Sequence, residues 1–263
     1  MTFEVGAHAD AEPLAHAAAG GFGIVQTFIG DPQAWKGHAV DHPGGAAGLR
    51  ADAEAAGVGL YIHAPYVINV ATTNNRIRIP SRQVLARQVK LATEVGARGV
   101  IVHGGHVGAG DDPAVGVDNW RKAVEGLDLT VPLLIENTAG GANAMARHLD
   151  RIGRLWDALS RAEGFENVGF CLDTCHAHAG GLDPTGLVDA IKAITGRIDL
   201  VHLNDSRDAA GSGADRHEVL GRGQADPGFL VQVVKDADTA TILETPGDAA
   251  GHAAQVEWLR ALL

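Results

Sequence analysis

Short β-rich apolar runs alternate along the chain with longer alanine-rich segments whose apolar residues recur at helical spacing. That alternation is the pattern of repeated βα units and of a parallel sheet. Eight such units can be drawn. The strands are predicted over Phe3–Ala7, Ile24–Phe28, Leu60–Ile62, Gly99–Val102, Pro132–Ile135, Val168–Leu172, Asp199–Val201 and Thr241–Leu243. The helices are predicted over Pro13–Ala19, Gly45–Ala56, Ser81–Val95, Pro113–Gly126, Ala144–Ser160, Pro184–Thr195, Pro227–Asp236 and Gly251–Leu262. Ser81–Val95 carries the plainest end signals, a serine cap after Pro80 and Gly96 as its stop.

No linker, low-complexity tract or shift of composition marks a domain boundary. Eight βα units in 263 residues fit a closed (β/α)₈ barrel better than a doubly wound sheet. The expected fold is therefore a single-domain TIM barrel spanning residues 1–263, with its site at the carboxyl face of the strands.

The residues at the strand ends sharpen that expectation. His8 comes after the first strand, His63 after the third, His103 after the fourth, Glu136 after the fifth, Asp173 after the sixth, His202 after the seventh and Glu244 after the eighth. In a barrel all those ends meet at one face, so seven residues able to bind metal would be gathered there. The densest stretch is VGFCLDTCHAH (168–178), a buried strand that turns within four residues into Asp173 and His176, with Cys175 and His178 interleaved. The second strand instead enters FIGDPQAWKG, a loop with Trp35 and Lys36 of the kind that touches substrate.

A second cluster lies in the glycine-rich loop after the seventh strand, HLNDSRDAAGSGADRHEVLGRG. Asp215 and His217 are two apart, so on extended backbone both point one way and can share an ion. Carboxylates that bridge divalent ions and imidazoles that complete their shells suit hydrolysis of a phosphodiester. The metal-dependent sugar isomerases and epimerases of this barrel class place Glu, Asp and His at strand ends too, and a damage-binding protein without catalysis is a third reading. The loop cluster speaks against the sugar enzymes, because a further ion held by that loop has little to do in sugar isomerisation.

Composition narrows the picture further. A formal charge of −11 and a pI near 5.5 argue against a basic face that coats nucleic acid, although metal-binding carboxylates are part of that count. No run reaches the roughly 18 apolar residues of a membrane span, and MTFEVGAHAD carries acid where a signal peptide carries base. A cytoplasmic location and a monomer are expected. Cys171 and Cys175 are too close together on and after one strand to staple the fold, and are expected as reduced thiols.

The motifs VGAH, HAPYVIN (63–69), VHGGH (102–106), IENTAG (135–140), CLDTCHAHAGG (171–181), HLNDSRDAAGSGADRH (202–217) and ILET (242–245) resemble the bacterial endonuclease IV family. The resemblance spans nearly the whole chain, in order. That family consists of zinc-dependent apurinic/apyrimidinic endonucleases on a (β/α)₈ barrel. The resemblance implies three divalent metal ions, zinc foremost, with manganese or iron able to take a site. His63, His103 and Glu136 would hold one ion, with Glu136 bridging to a second. Asp173, His202 and Glu244 would complete the second, and His176, Asp215 and His217 would hold the third. The implied activity is hydrolysis of the phosphodiester 5′ to an abasic site in duplex DNA, leaving a 3′-hydroxyl, together with removal of blocked 3′ ends. Glu136 is the catalytic residue of choice.

Gln33, Trp35 and Tyr66 match positions where the family enters DNA, but Gln33 stands where the relative best known carries an inserting arginine. Penetration would then fall to Trp35 and Tyr66, which can stack in a gap. Lys36, Arg207, Arg216 and Arg222 are the candidate phosphate contacts. His8, His106 and His178 read as neighbours of the ligands or substrate, Cys171 as filler of the barrel interior, and Trp120, Trp156 and Trp258 as packing between helices and barrel.

Overall fold

The computed structural model describes residues 4–263. Phe3, the expected start of the first strand, lies outside the described residues. Eight parallel strands close into one barrel: β1 (Val5–His8), β2 (Ile24–Phe28), β3 (Gly59–His63), β4 (Gly99–His103), β5 (Leu133–Glu136), β6 (Val168–Asp173), β7 (Leu200–His202) and β10 (Thr241–Leu243). Between β7 and β10 in the chain, β8 (Asp205–Ser206) and β9 (His217–Glu218) form a separate antiparallel hairpin. The helices are α1 (Pro13–Gly20), α2 (Gly45–Ala56), α3 (Asn75–Glu94), α4 (Pro113–Val124), α5 (Leu149–Leu159), α6 (Thr174–Gly180), α7 (Leu187–Thr195), α8 (Pro227–Ala237) and α9 (Ala249–Leu262). Each barrel strand pairs with the next along the chain, and β1 closes on β10. The eight-unit barrel expected from the hydrophobic pattern is the fold observed.

Two cores result from the alternation of side chains along the strands. Ile24, Tyr61, Ile101, Leu134, Cys171, Leu200 and Ile242 fill the barrel interior. A larger shell of Val, Ile and Leu packs the outer strand faces against the helices. Trp120 is fully buried there and donates to the carbonyl of Gly104, while Trp156 meets Phe170 edge to face.

Three local differences from the expected elements carry physical reasons. The helix placed at Ser81–Val95 begins about a turn and a half earlier, with α3 capped by Asn74 through the amide of Arg76. Pro80 is accommodated inside it, and Ser81 turns its hydroxyl back onto the Ile77 carbonyl instead of capping. The segment placed at Ala144–Ser160 is helical only over α5, because Ala144 and Met145 are held by backbone pairing to the loop after β4. The short helix α6 and the β8–β9 hairpin are additions at the carboxyl face.

Register is what positions the site. His103 pairs across from Glu136, and Asp173 across from His202. Adjacent strands lie about 4.8 Å apart, so residues that are distant in sequence become side-by-side donors at the barrel mouth.

A candidate metal centre at the barrel mouth

Glu136 lies at the centre of the cluster, fully buried, with its two oxygens facing different neighbours. Oε2 stands 3.3 Å from His63 Nε2 and 3.4 Å from His103 Nε2. Oε1 stands 3.1 Å from His202 Nδ1 and 3.2 Å from His176 Nδ1. Asp173 and Glu244 flank it, with Glu244 Oε2 at 3.2 Å from His202 Nδ1. A third group forms at the edge, where Asp215 Oδ1 is 3.1 Å from His176 Nε2 and 3.2 Å from His217 Nε2.

The donor atoms thus converge in three compact sets, His63/His103/Glu136, Glu136/Asp173/His202/Glu244 and His176/Asp215/His217. A further set combines Cys175 with Asp173 and His217. All nine residues singled out in the sequence as candidate ligands are brought together at the one face.

The helix α6 explains how Asp173 and His176 reach different sets. Asp173 ends β6 and caps α6, accepting from the His176 amide at 2.6 Å, which turns His176 away from the strand direction. The loop that brings Asp215 is clipped down by backbone bonds from Gly211 to His178 and from Gly213 to Ala179. Gly213 sits at φ +73, and a Cβ on Gly140 would meet the Gly213 carbonyl at 2.4 Å, so a closer or bulkier pairing of these two loops is sterically barred. Asp205 fixes the loop base, accepting from the amides of Ser206, Gly223 and Ala225.

Four of the imidazoles are oriented through their other nitrogen. His63 Nδ1 is 2.7 Å from the Ala64 carbonyl, His176 Nδ1 is 2.9 Å from that of Asn137, and His217 Nδ1 is 3.2 Å from that of Glu244. His202 Nε2 donates to Gln26 Oε1 at 2.8 Å. Such anchoring fixes the tautomer and leaves the remaining lone pair for a metal.

The charges explain why this cluster calls for cations. Burial opposes charge on Glu136, but His202 and His103 overcome it and hold the carboxylate well below its usual range. Burial raises Asp173 instead, and pushes His103 down to about 4. His176 is raised well above the usual imidazole value, and His217 to about 9, because facing carboxylates outweigh the burial that would lower them. Four carboxylates in one small volume therefore draw protons onto neighbouring rings unless divalent ions supply the positive charge. The Nε2 atoms of His176 and His217 support that reading: both are buried and neither has a hydrogen-bond partner of acceptable geometry. The residues fit a metal cluster.

Three residues that strand-end reasoning misses hold the candidate ligands in place. Asn204 donates to Asp173 Oδ2 at 2.7 Å and accepts from the Glu244 amide at 2.8 Å. Asn137 accepts from the Asp173 amide at 2.7 Å and donates to its carbonyl at 2.9 Å. Gln26, the contribution of β2, donates to Glu244 Oε1 at 2.6 Å while receiving His202. A fully buried glutamine within IVQTF is the signal that could find it, since a polar side chain inside a barrel strand needs partners. His8 joins only through Gln26, at 3.1 Å, and His178 binds the Asp208 carbonyl. Cys171 is buried in the barrel interior, and burial raises both thiols to about 12.

Around the cluster a cavity of about 370 Å³ is lined by Tyr66, Arg207 and Arg216 as well as by ligand candidates. Tyr66 is half exposed and packs edge-on against Phe28, close to His63 and His103. Arg216 is paired with Asp208, and Arg207 lies 3.5 Å from Glu218. Trp35 and Lys36 line the neighbouring cavities. Gln33 and Arg222 line none of these cavities.

The fold places the chain in a broad class first: residues 14–262 match the family model described as xylose isomerase-like TIM barrel. Within that class, "Probable endonuclease 4" of Mycobacterium marinum is 50% identical over 263 residues, covering 98% of both chains. The protein of the same name from Mycobacterium tuberculosis is 52% identical over 242 residues, 92% of each. The crystal structure of endonuclease IV from Thermus thermophilus superposes with a TM-score of 0.82 at 30% identity, covering 98% of both chains. A D-tagatose 3-epimerase-like protein shares the fold at 18% identity, with a TM-score of 0.79. The chain belongs to the endonuclease 4 family.

Proposed function

We propose that this protein is a DNA-repair endonuclease that hydrolyses the phosphodiester 5′ to an abasic site in duplex DNA, leaves a 3′-hydroxyl, and clears blocked 3′ ends. Its class, a metal-dependent phosphodiesterase, follows from its family. The observation that carries the finer reading is the division of donors into three adjoining sets around Glu136.

His63, His103 and Glu136 would hold one ion, Glu136, Asp173, His202 and Glu244 a second, and His176, Asp215 and His217 a third, with zinc foremost and manganese or iron able to take a site. Bound there, such ions supply an activated water and charge stabilisation for the phosphate and the departing 3′ oxygen. The protein's own part is positioning. Glu136 spans two sets through its two oxygens and so fixes their separation. Gln26 and Asn204 donate to the carboxylates of Glu244 and Asp173, and Asn137 fixes the backbone of Asp173 beside them. Tyr66, exposed above His63 and His103, offers an aromatic face at the mouth of the cavity, where a nucleotide lacking its base leaves room.

The test is incision of a duplex bearing one tetrahydrofuran abasic analogue, with element analysis of the same preparation. Cleavage 5′ to the analogue, an end that a polymerase extends, and three ions per chain are expected. Failure of fully metallated protein to incise would overturn the reading, and one ion per chain would favour epimerase chemistry.

A further inference from the structure

Beside the metal cavity lies a trough that the catalytic reading leaves unused. A cavity of about 440 Å³ adjoins the metal cavity, sharing Tyr66 and His103 with it. It continues into a third, of about 650 Å³, with which it shares Trp35. The third cavity is lined by Lys36, Arg76 and Arg87, together with His38, Pro80, Gln83 and others, and no carboxylate lines it. In a chain of net charge −11, three cations around one cavity without an acid stand apart from the surface average. They also contrast with Arg207 and Arg216 at the metal cavity, which face Glu218 and Asp208.

The cavity is built, not incidental. Arg76, Pro80, Gln83, Val84 and Arg87 fall at helical spacing along one face of α3, with the two arginines about three turns apart. That separation is about 16 Å along the helix, over which one strand of B-DNA carries several phosphates. The opposite wall is the loop after β2, pinned to α3 at one point: the Ile29 carbonyl accepts from both His38 Nδ1 and the buried Gln88. His38 is only 7% exposed, lines the cavity, and has a buried Nε2 with no partner.

We propose that Lys36, Arg76 and Arg87 form a phosphodiester-binding site for the DNA strand that leaves the metal centre, with Tyr66 and Trp35 marking the path between them. This rests on the proposed function and extends it, because it joins Lys36, already a candidate phosphate contact, to Arg76 and Arg87 on helix α3. Backbone neutralisation there adds affinity without reading sequence.

Fluorescence anisotropy of metal-loaded protein with a non-cleavable phosphorothioate duplex holding one abasic analogue tests it. Arg76→Gln/Arg87→Gln is compared with Arg154→Gln/Arg260→Gln, an equal charge change on exposed arginines outside the trough. The trough variant is expected to bind about tenfold more weakly and to flatten the plot of log K against log salt by about 1 to 2. It is also expected to lose the affinity that the wild type gains as the duplex is lengthened on one side of the lesion. Equal behaviour of the two variants would overturn the site while leaving incision by the wild type, and hence the functional reading, intact. Wild-type protein that neither binds nor incises the abasic duplex would overturn both.

Discussion

Glu136 and Asp215 belong to one cluster but owe their positions to different parts of the molecule. Glu136 ends a barrel strand, is fully buried, and is flanked by candidate ligands that strand register puts beside it. Asp215 sits in a loop with no regular structure, its side chain half exposed, and reaches the cluster because Gly211 and Gly213 clip that loop to α6. The strand-borne half is thus held by the whole barrel, whereas the loop-borne half is held by a few backbone bonds. Local openings are cheapest where few buried contacts resist them. The two halves should therefore differ in how tightly they keep metal and in how they respond to mutation.

The largest effect should come from the centre of the rigid half. Glu136→Gln removes the charge that spans two sets while keeping the shape. Incision of the abasic duplex should fall by about a thousandfold or more, and element analysis should show more than one ion lost per chain. Retention of every ion would place Glu136 outside the bridging role.

Next comes the loop. Asp215→Asn should lower incision by about a hundredfold and remove one ion of three, leaving the thermal transition of the barrel nearly unchanged. Brief chelation of the wild type should imitate it, drawing the ion of His176, Asp215 and His217 first. Loss of all ions at one rate would erase the contrast between the halves.

A smaller effect is expected from Gln26→Leu, which strips Glu244 and His202 of a shared partner without touching a donor atom. Metal affinity measured by competition with a chromogenic chelator should weaken by about tenfold. An unchanged affinity would show that the barrel alone orients both groups. The smallest effect belongs to Cys175. It lies within reach of Asp173 and His217, and burial raises its thiol to about 12, but the histidine and carboxylate donors form three sets without it. Cys175→Ala should retain three ions and incise within about twofold of wild type. Loss of an ion would make Cys175 a ligand.

Much of this site is legible in the sequence. The strand-end residues stand out because a strand's apolar run ends at a definite place and a histidine or carboxylate there is conspicuous, as in GVIVH or VGFCLD. The same reasoning places His8 among the ring of ends, but in the structure His8 turns to Gln26 and Asp10 and joins none of the donor sets. Asn74 and Ser81 show the same limit at a helix end. Both are good caps by residue type, and only the packing of Ser81 against Ile77 and Asn69 decides that Asn74 opens α3. Arg76 escapes notice for the same reason: with a helix starting at Ser81, it has no face to share with Arg87.

By itself the sequence determined the barrel and the chemical character of its mouth, because hydrophobic periodicity and strand ends are local properties written residue by residue. The family motifs added which donors would go together. The tertiary structure decided the rest: that His103 faces Glu136 and Asp173 faces His202, that Gln26 and Asn204 brace the carboxylates, and that a loop crosses to deliver Asp215. Those are distances between elements remote in the chain. They arise only when the barrel closes and its register is set, which no local pattern records.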